Sequence, residues 1–498
     1  MYRRLTIVLF ILITNGPGLK AQEHWDLNRC IHYALENNLT HHLYALDEKT
    51  ARIDATQSKL NLLPAVSASS SAGVSYGRSV DPNSNDVTNT DFFNTSGSLG
   101  SSIGLFQGFI RLNRIAYTKF RFQAAQWKKI NYQDDLAFDV LTAYFNVLYY
   151  QGLVEIAGEQ LKLSENNVKK TETQIETGLK ARTDLAEMQA AREKEMLTLI
   201  RTENTLEEVK LQLGQLMNLT AEQLSSFIIE NEGEQPAAML SQMLAADSLF
   251  TSFVQFSPYV KMAQAELNAA SKNVAMARGQ YFPSVNLGAD VNTVYSETNK
   301  GEGGKKTIPF RDQIDNNLGE YVGASLSIPI FGRNEVRNEV RKAKLAREQA
   351  ETQLEQYRQT IYYELMNNNR ELYALSREYG QTMKQLEANE LAYKVAERKY
   401  DEGLIDVIEL LTVKNRVGES KGQLLNARLQ WHIKSRIIEF YKGIRFWEGE
   451  GDRRPETGEG KTTTGDRRPE KGDRTQGNKE GGLDAGAGKA DGGARIGI

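Results

Sequence analysis

The chain has 498 residues, 40% of them hydrophobic and 25% charged, with a formal net charge of −3. That length is ample for a large core and, taken alone, for about three domains, while the near-neutral charge leaves no electrostatic footprint for nucleic acid. Its single cysteine, Cys30, excludes an intrachain disulfide and any cysteine-based zinc site.

Residues 1–21 read as a secretory leader. Arg3 and Arg4 supply the positive start, Leu5 to Ile13 the apolar run, and Gly16, Pro17 and Gly18 the break before cleavage after Ala21. The apolar run is too short to span a bilayer, and no later run approaches about 18 residues. Leu27-Asn28-Arg29-Cys30 resembles a lipid-attachment site only superficially, because Glu23, His24 and Asp26 precede it, and it reads as a buried helix cysteine. An exported chain of this kind can enter a membrane only as a β-barrel.

Leu27 to Asn38 predicts a short amphipathic helix, and a second follows from about His42 to Leu62, where Pro64 stops it. The texture then changes to period two. Val66, Ala68, Ala72, Val74 and Tyr76 alternate with small polar residues, and after a polar loop Leu99, Ile103 and Leu105 alternate with Ser and Gly. Strict alternation over about ten residues marks strands whose two faces meet different solvents. Strands are expected at about 65–76 and 97–106. From Phe106 the pattern is helical to Gly178, and a return helix runs from about Arg182 to Leu216. A mixed connector, 218–257, holds Gly233 and Pro236.

The order then recurs. A helix ends at Pro283; strands are expected at about 284–295 and 320–330, separated by a Gly/Lys-rich loop; a long helix runs to Gly403, and its return to about Tyr441. Phe106 to Gly178 and Phe331 to Gly403 are both 72 residues, and Leu39 to Pro64 and Pro258 to Pro283 are both 25. Matching offsets of this kind predict an internal tandem duplication. Along the second long helix Ala346, Ala350, Leu354, Tyr357, Ile361, Leu365, Asn368, Leu372, Leu375, Tyr379, Met383 and Leu386 recur about every 3.64 residues, the period of a nearly straight helix. Gly332 to Gly403 would span roughly 105 Å. Such a length measures a distance rather than fills a core. Beyond Glu448 the chain is charged, Gly-rich and almost free of apolar residues, so 448–498 reads as a disordered low-complexity tail.

Four strands cannot close a barrel, and lipid does not tolerate an open sheet edge, so several chains must pool their strands. Three would supply twelve. Val285, Leu287, Val322, Leu326 and Ile328 are the candidate lipid-facing positions, and Tyr76, Phe92, Phe93, Tyr295 and Tyr321 lie near strand ends where an aromatic girdle would sit.

Leader, short first helix, two copies of helix–strand–strand–long helix–return helix and the paired tip glycines, over about Trp25 to Ile444, resemble the TolC family of outer-membrane efflux and type I secretion channel proteins. The resemblance implies an α+β membrane protein of a Gram-negative outer membrane: a homotrimer whose long antiparallel α-helical hairpins form a periplasmic α-barrel continuous with the pooled β-barrel. Residues 22–217 and 258–447 would be the two structural repeats. It further implies the exit duct of a tripartite efflux pump for small molecules, with a periplasmic adaptor (membrane fusion) protein, an inner-membrane transporter and outer-membrane lipid as partners. Type I protein secretion or metal efflux shares that architecture, and a non-channel periplasmic coiled-coil scaffold is the rival of another class.

By the same resemblance the tips, Thr177 to Leu185 and Glu402 to Leu410, dock the adaptor through Gly178, Leu179, Arg182, Leu185, Gly403, Leu404 and Leu410, and Asp184, Asp406 and Glu409 are the candidate pore gate. A plain turn would use the same glycines, and Glu409 reads equally well as a solvated helix carboxylate. Thr412 stands where a second acid is expected after Glu409. Asn367-Asn368-Asn369 interrupts the long-helix stripe and offers a water-facing or interprotomer site or a tolerated polar position. Catalytic constellations and cofactor motifs are missing: His41-His42 lacks zincin spacing, and the loop Gly301 to Thr307 fails the phosphate-loop spacing. The chain is not expected to be an enzyme.

Overall fold

The computed structural model describes residues 23–80, 87–89, 91–229, 243, 245–301 and 306–448. The expected leader, the tail beyond Glu448, Gly233, Pro236 and residues 302–305 of the Gly/Lys loop lie outside the described residues. In chain order the elements are β1 (Glu23–Trp25), α1 (Leu27–Asn37), α2 (Leu39–Leu60), β2 (Ala65–Ser75), β3 (Arg78–Val80), β4 (Val87–Asn89), β5 (Phe92–Gln107), α3 (Ile110–Glu176) and α4 (Arg182–Met217). There follow α5 (Ala221–Ser225), β6 (Phe227–Ile229), α6 (Ala246–Phe256), α7 (Pro258–Gly279), β7 (Ser284–Ser296), α8 (Phe310–Asn316), β8 (Gly319–Ser327), α9 (Glu335–Asp401) and α10 (Val407–Tyr441). No described helix is long and apolar enough to cross a membrane.

The two long helices are built alike. Both α3 and α9 have 67 residues, about 100 Å. Each is preceded by a residue in the left-handed region with φ 62° and ψ 11°, Phe109 for α3 and Asn334 for α9. Each forms an antiparallel hairpin with its return helix, α4 or α10. Shorter helices complete the layer: α2 packs on α3, and α7 packs on both α3 and α9.

Four strands form one antiparallel sheet in the order β2-β5-β7-β8. Its register brings like residues onto like faces. Ala68 opposes Leu99, which opposes Val291; Ile103 opposes Leu287, which opposes Ala324; Val285 opposes Leu326, and Ala289 opposes Val322. The other face carries Ser69 against Ser98 and Asn292, and Gly104 against Asn286 and Ser325. Serine hydroxyls pair across that face, Ser69 with Ser98 at 2.7 Å and Ser71 with Ser96 at 2.8 Å. A register shift between Gly104 and Phe106 absorbs Leu105 and returns Phe106 to the apolar face opposite Val285. β2 and β8 are the two edges.

Three details depart from the sequence reading. β8 ends at Ser327, so Ile328 lies past the strand rather than on it; Pro329, which follows, has no N–H to offer a ladder. Tyr321 opposes Asp290 and Phe92 opposes Ser75, which puts both on the polar face, while Phe93 and Tyr295 lie on the apolar one. The loop after β7 contains a helix, α8, held by one side chain. Gln313 is buried, its Nε2 donates to the carbonyls of Ser296 and Ile308, and its Oε1 accepts from Ser296 N–H.

The main core lies at the waist, where mid-α3 (Leu136 to Leu148) and mid-α9 (Leu354 to Leu372) pass α1, α6 and the C-terminal ends of α4 and α10. The mixed connector supplies α6 and also β6, which pairs in parallel with β1. Cys30 is fully buried there, its thiol pushed up to about 12 by burial. Here α4 and α2 meet end to end. Asn38 caps the start of α2 by accepting from His41 N–H at 3.0 Å, and its Nδ2 donates to the α4 carbonyl of Leu216 at 3.0 Å. On the other side Tyr441 of α10 stands edge-on to Phe253, 4.8 Å between centroids, beside the start of α7. The α9 stripe is followed from Leu354 to Leu372. Towards the tip its buried edge moves to Ser376, Gly380 and Thr382, and Met383 is exposed. Asn368 accepts from Lys434 of α10 at 2.8 Å, so it serves a contact within the subunit.

One buried ion pair ties this waist together. Arg445 bonds Asp134 of α3 at 2.8 Å and Glu448 at 2.9 Å. Burial pushes the Asp134 carboxyl up to about 6, with Arg445 opposing the rise. Arg445→Met therefore leaves an unpaired buried acid and should cost roughly 3 kcal/mol or more at pH 7, read as lost thermal stability of the detergent-purified protein. With Arg445 present the folded-state pKa already lies above the unfolded one, and without it the carboxyl rises further. The variant therefore takes up its proton before the parent does, and the deficit should shrink as pH falls towards about 6, where the parent's Asp134 is protonated too. A deficit that stays constant from pH 8 to pH 5 would show that Asp134 is not its source.

Candidate functional site: the paired helical tips

Each hairpin turns through the same hydrogen-bond pattern. At the end of α3, Gly178 N–H donates to Ile175 O and Leu179 N–H to Gln174 O. At the end of α9, Gly403 N–H donates to Tyr400 O and Leu404 N–H to Lys399 O. These are Schellman caps, in which the residue after the cap takes the left-handed conformation. Gly178 has φ 78° and Gly403 φ 74°, and nothing lies within 4 Å of where a Cβ would stand. The glycines are needed for backbone freedom, not for space.

The turns hold Leu179 and Leu404 out to solvent, 70% and 67% exposed, and Arg182 is exposed at the start of α4. Leu410 is only 1% exposed. With Val168, Met188, Ala396, Tyr400 and Val407 it forms a small second core joining both hairpins, and Leu185 packs against it. Of the seven expected docking residues, Leu410 and Leu185 thus build the tip from inside. The three candidate gate acids are also unequal. Asp406 caps α10, its carboxylate accepting from Glu409 N–H at 2.8 Å. Asp184 is half-buried in the first turn of α4, and Glu409 is exposed in the first turn of α10. Thr412 turns its hydroxyl back onto Ile408 O at 2.7 Å and adds no charge.

Polar ties run between the hairpins beside this core and above it. Lys170 of α3 pairs with Asp401 of α9 at 2.5 Å, and Lys180 sits 3.8 Å from the centre of the Tyr400 ring. Higher up, Lys421 of α10 meets Glu159 of α3 at 2.7 Å. The most enclosed tie is Lys414 of α10, 1% exposed, which donates to Ser164 of α3 at 2.5 Å and pairs with Glu195 of α4 at 2.9 Å. Burial lowers its pKa below the ordinary lysine value, and Glu195 pulls it back up. Sequence reasoning missed this residue. The available signal was a lysine at the buried helical phase Val407, Leu410, Lys414, Val417.

Among the described residues no group of three or more His, Cys, Asp or Glu side chains could hold a metal. What the tips offer is an exposed apolar knob on each of two turns, beside carboxylates, on hairpins fastened to each other by polar contacts.

Comparison with known proteins fits this geometry. The toluene efflux pump outer membrane protein TtgF of Pseudomonas putida is 24% identical over 341 residues, covering 68% of this chain and 66% of that protein, just under two thirds. The outer membrane protein TolC of Escherichia coli is 24% identical over 357 residues, covering 69% of each. The solved structure of the outer membrane protein VceC from Vibrio cholerae superposes with a TM-score of 0.69 at 17% identity, over 84% of this chain and 96% of that one, a likeness of fold. Residues 30–219 and 252–443 match the outer membrane efflux protein family, so most of the described helices and strands fall within it, and the chain belongs to that family.

Proposed function

We propose that this chain is the exit duct of a tripartite efflux pump, a homotrimer that passes small molecules passively through the periplasm and outer membrane. The observation that carries the reading is the two-faced sheet. Its apolar face suits lipid, its serine, asparagine and glycine face suits water, and its edges β2 and β8 are unpaired within the subunit. Three copies would close twelve strands and satisfy every edge N–H and C=O. Because the strands alternate in direction, β8 of one copy and β2 of the next continue the antiparallel order. α2 supports the same ring. Leu39, Leu43, Leu46, Ile53 and Leu60 are exposed at seam spacing, an apolar stripe that needs a neighbouring helix.

Residues 22–217 and 258–447 then act as two half-staves from a tandem duplication, joined by the connector 218–257. Equal 67-residue helices, equal left-handed starts and equal Schellman tips favour that history. The tips would receive a periplasmic adaptor on Leu179, Leu404 and Arg182, with an inner-membrane transporter supplying substrate and energy. Val285, Leu287, Val322 and Leu326 would face lipid, with Ile328 just below the strand. Glu409, repeated around a threefold axis, would form an anionic ring that favours cations and is open to divalent block. Asp184 would sit in the same constriction, and Asp406 would hold Glu409 in place through its cap. Work of this kind is geometric and uses no catalytic residue.

Opening would require one hairpin to part from the other at the tip, and Lys414–Glu195, which joins α10 to α4, is the tie with most to lose. Glu195→Lys sets two ammonium groups against each other in a closed space and should raise single-channel conductance in planar bilayers several-fold. Adding Lys414→Glu should restore the parental value. Unchanged conductance in the single variant would remove this pair from the gate, and absence of any steady conductance in the parent would favour a scaffold over a channel. Cysteines placed at Asp184 and Glu409 should, once crosslinked, stop export. Full export by crosslinked trimers would overturn the tip as the moving part.

A further inference from the structure

Where the sheet meets the helices the chain is unusually basic. Between Gly108 and Arg121 there are four lysines and arginines and no acid, between Leu267 and Ala289 the only charged residues are Lys272 and Arg278, and between Arg333 and Glu351 six basic residues stand beside four acids. The whole chain, by contrast, carries a net charge of −3. Exposed apolar side chains occupy the same level: Phe109, Leu112, Tyr281, Phe282, Ile330 and Phe331.

Part of this belt is a defined cleft between the start of α3, the end of α7 and α9, of about 300 Å³, with Phe109 and Phe282 as apolar walls and Arg278 and Arg347 as its charged groups. Its shape depends on a close backbone approach. A Cβ on Gly108, which has φ 57°, or on Gly279 would strike the carbonyl of the other. Its side is fixed by Phe109, whose ring stands edge-on to Phe106 at 5.3 Å, and Phe106 lies on the apolar face of the sheet opposite Val285. A neighbouring cleft with Arg111 is lined by Ser102, Gly104 and Asn286 of the polar face together with Ile103.

We infer that the Arg278–Arg347 cleft is a binding site for an anionic phospholipid of the inner leaflet, its phosphodiester between the two guanidinium groups and its acyl chains against Phe109 and Phe282. Guanidinium groups match phosphate oxygens through paired N–H donors. Each basic residue at a lipid surface adds attraction for anionic headgroups. Arg347 also has a distant exposed partner, Glu351 at 4.0 Å, a contact weak enough to yield to a phosphate. The cleft continues the apolar sheet face downward, so an acyl chain lying on Val285 and Leu326 would bring its headgroup to this level. The inference rests on the lipid-facing reading of that sheet, and a bound lipid here would fix the depth at which the duct sits.

The test uses the detergent-purified oligomer and phosphatidylglycerol, with binding followed by native mass spectrometry. Arg278→Ala with Arg347→Ala should weaken phosphatidylglycerol binding roughly thirtyfold, about the effect of two basic residues at a lipid surface. Arg278→Lys with Arg347→Lys should keep most of it, and inorganic phosphate should not compete. Undiminished binding by the alanine pair overturns the inference, and displacement by phosphate would assign the cleft to free anions instead. Val322→Trp, reconstituted and exposed to brominated lipid, separates the two readings. Quenching with undiminished binding by the alanine pair sinks only the cleft, whereas no quenching sinks the lipid-facing sheet itself.

Discussion

A sheet edge cannot be left open in hydrocarbon, because each unpaired N–H and C=O there costs several kcal/mol with no water to offset it. This subunit carries two such edges, β2 and β8, on a sheet whose apolar face has no partner within the subunit. On the proposed reading, the constraint would make this four-stranded sheet part of a ring, and it would account for the exposed seam of α2 in the same terms. What looks unsatisfied in one copy is the surface on which the next copy is expected to close.

The helical half obeys a second geometry. A wall helix of 67 residues needs a partner along its whole length, yet α2 has only 22 residues and α4 only 36. Butting the two end to end supplies the partner, and the joint must then be capped from both sides. Asn38 does so with one side chain, accepting from its own helix and donating to the end of the other. The waist core gathers where these joints fall. α1, α6 and the β1–β6 ladder pack into the same core.

Much of this was legible in the sequence because long periodic patterns carry it. The turn from period two to period 3.6 near Phe106, the proline-free spans and the tip glycines located both hairpins and the four strands to within a few residues. What was not legible depended on single contacts between distant segments. β1 and β6 are three residues each and mean nothing until paired. α8 is a seven-residue helix whose Gln313 becomes meaningful only when Ser296 is beside it. The face of Tyr321 needed the register with Asp290, and the burial of Leu410 needed the second hairpin. Lys414 broke a local rule, a charge on an apolar phase, and such a break is where a functional contact is expected.

The contrast between waist and tip bears on motion. The waist is held by a large apolar cluster in which Leu136, Leu141, Tyr144 and Leu365 are fully enclosed. Separating it would expose many side chains at about 25 cal/mol per Å². The tip has six buried members, and most of what joins its hairpins is polar: Lys170 with Asp401, Lys421 with Glu159, Lys414 with Glu195 and Ser164. Exposed ion pairs contribute at most about 1 kcal/mol, since water accepts the same charges when they part. Lys414 is the exception among them, because its ammonium must be rehydrated or find another carboxylate as Glu195 leaves. In the proposed duct, a wall built this way would resist opening at its middle and permit it at its end. On the proposed reading, the position of the buried lysine, just over two turns above the cap at Asp406, would set how far the separation must travel before the tip is released.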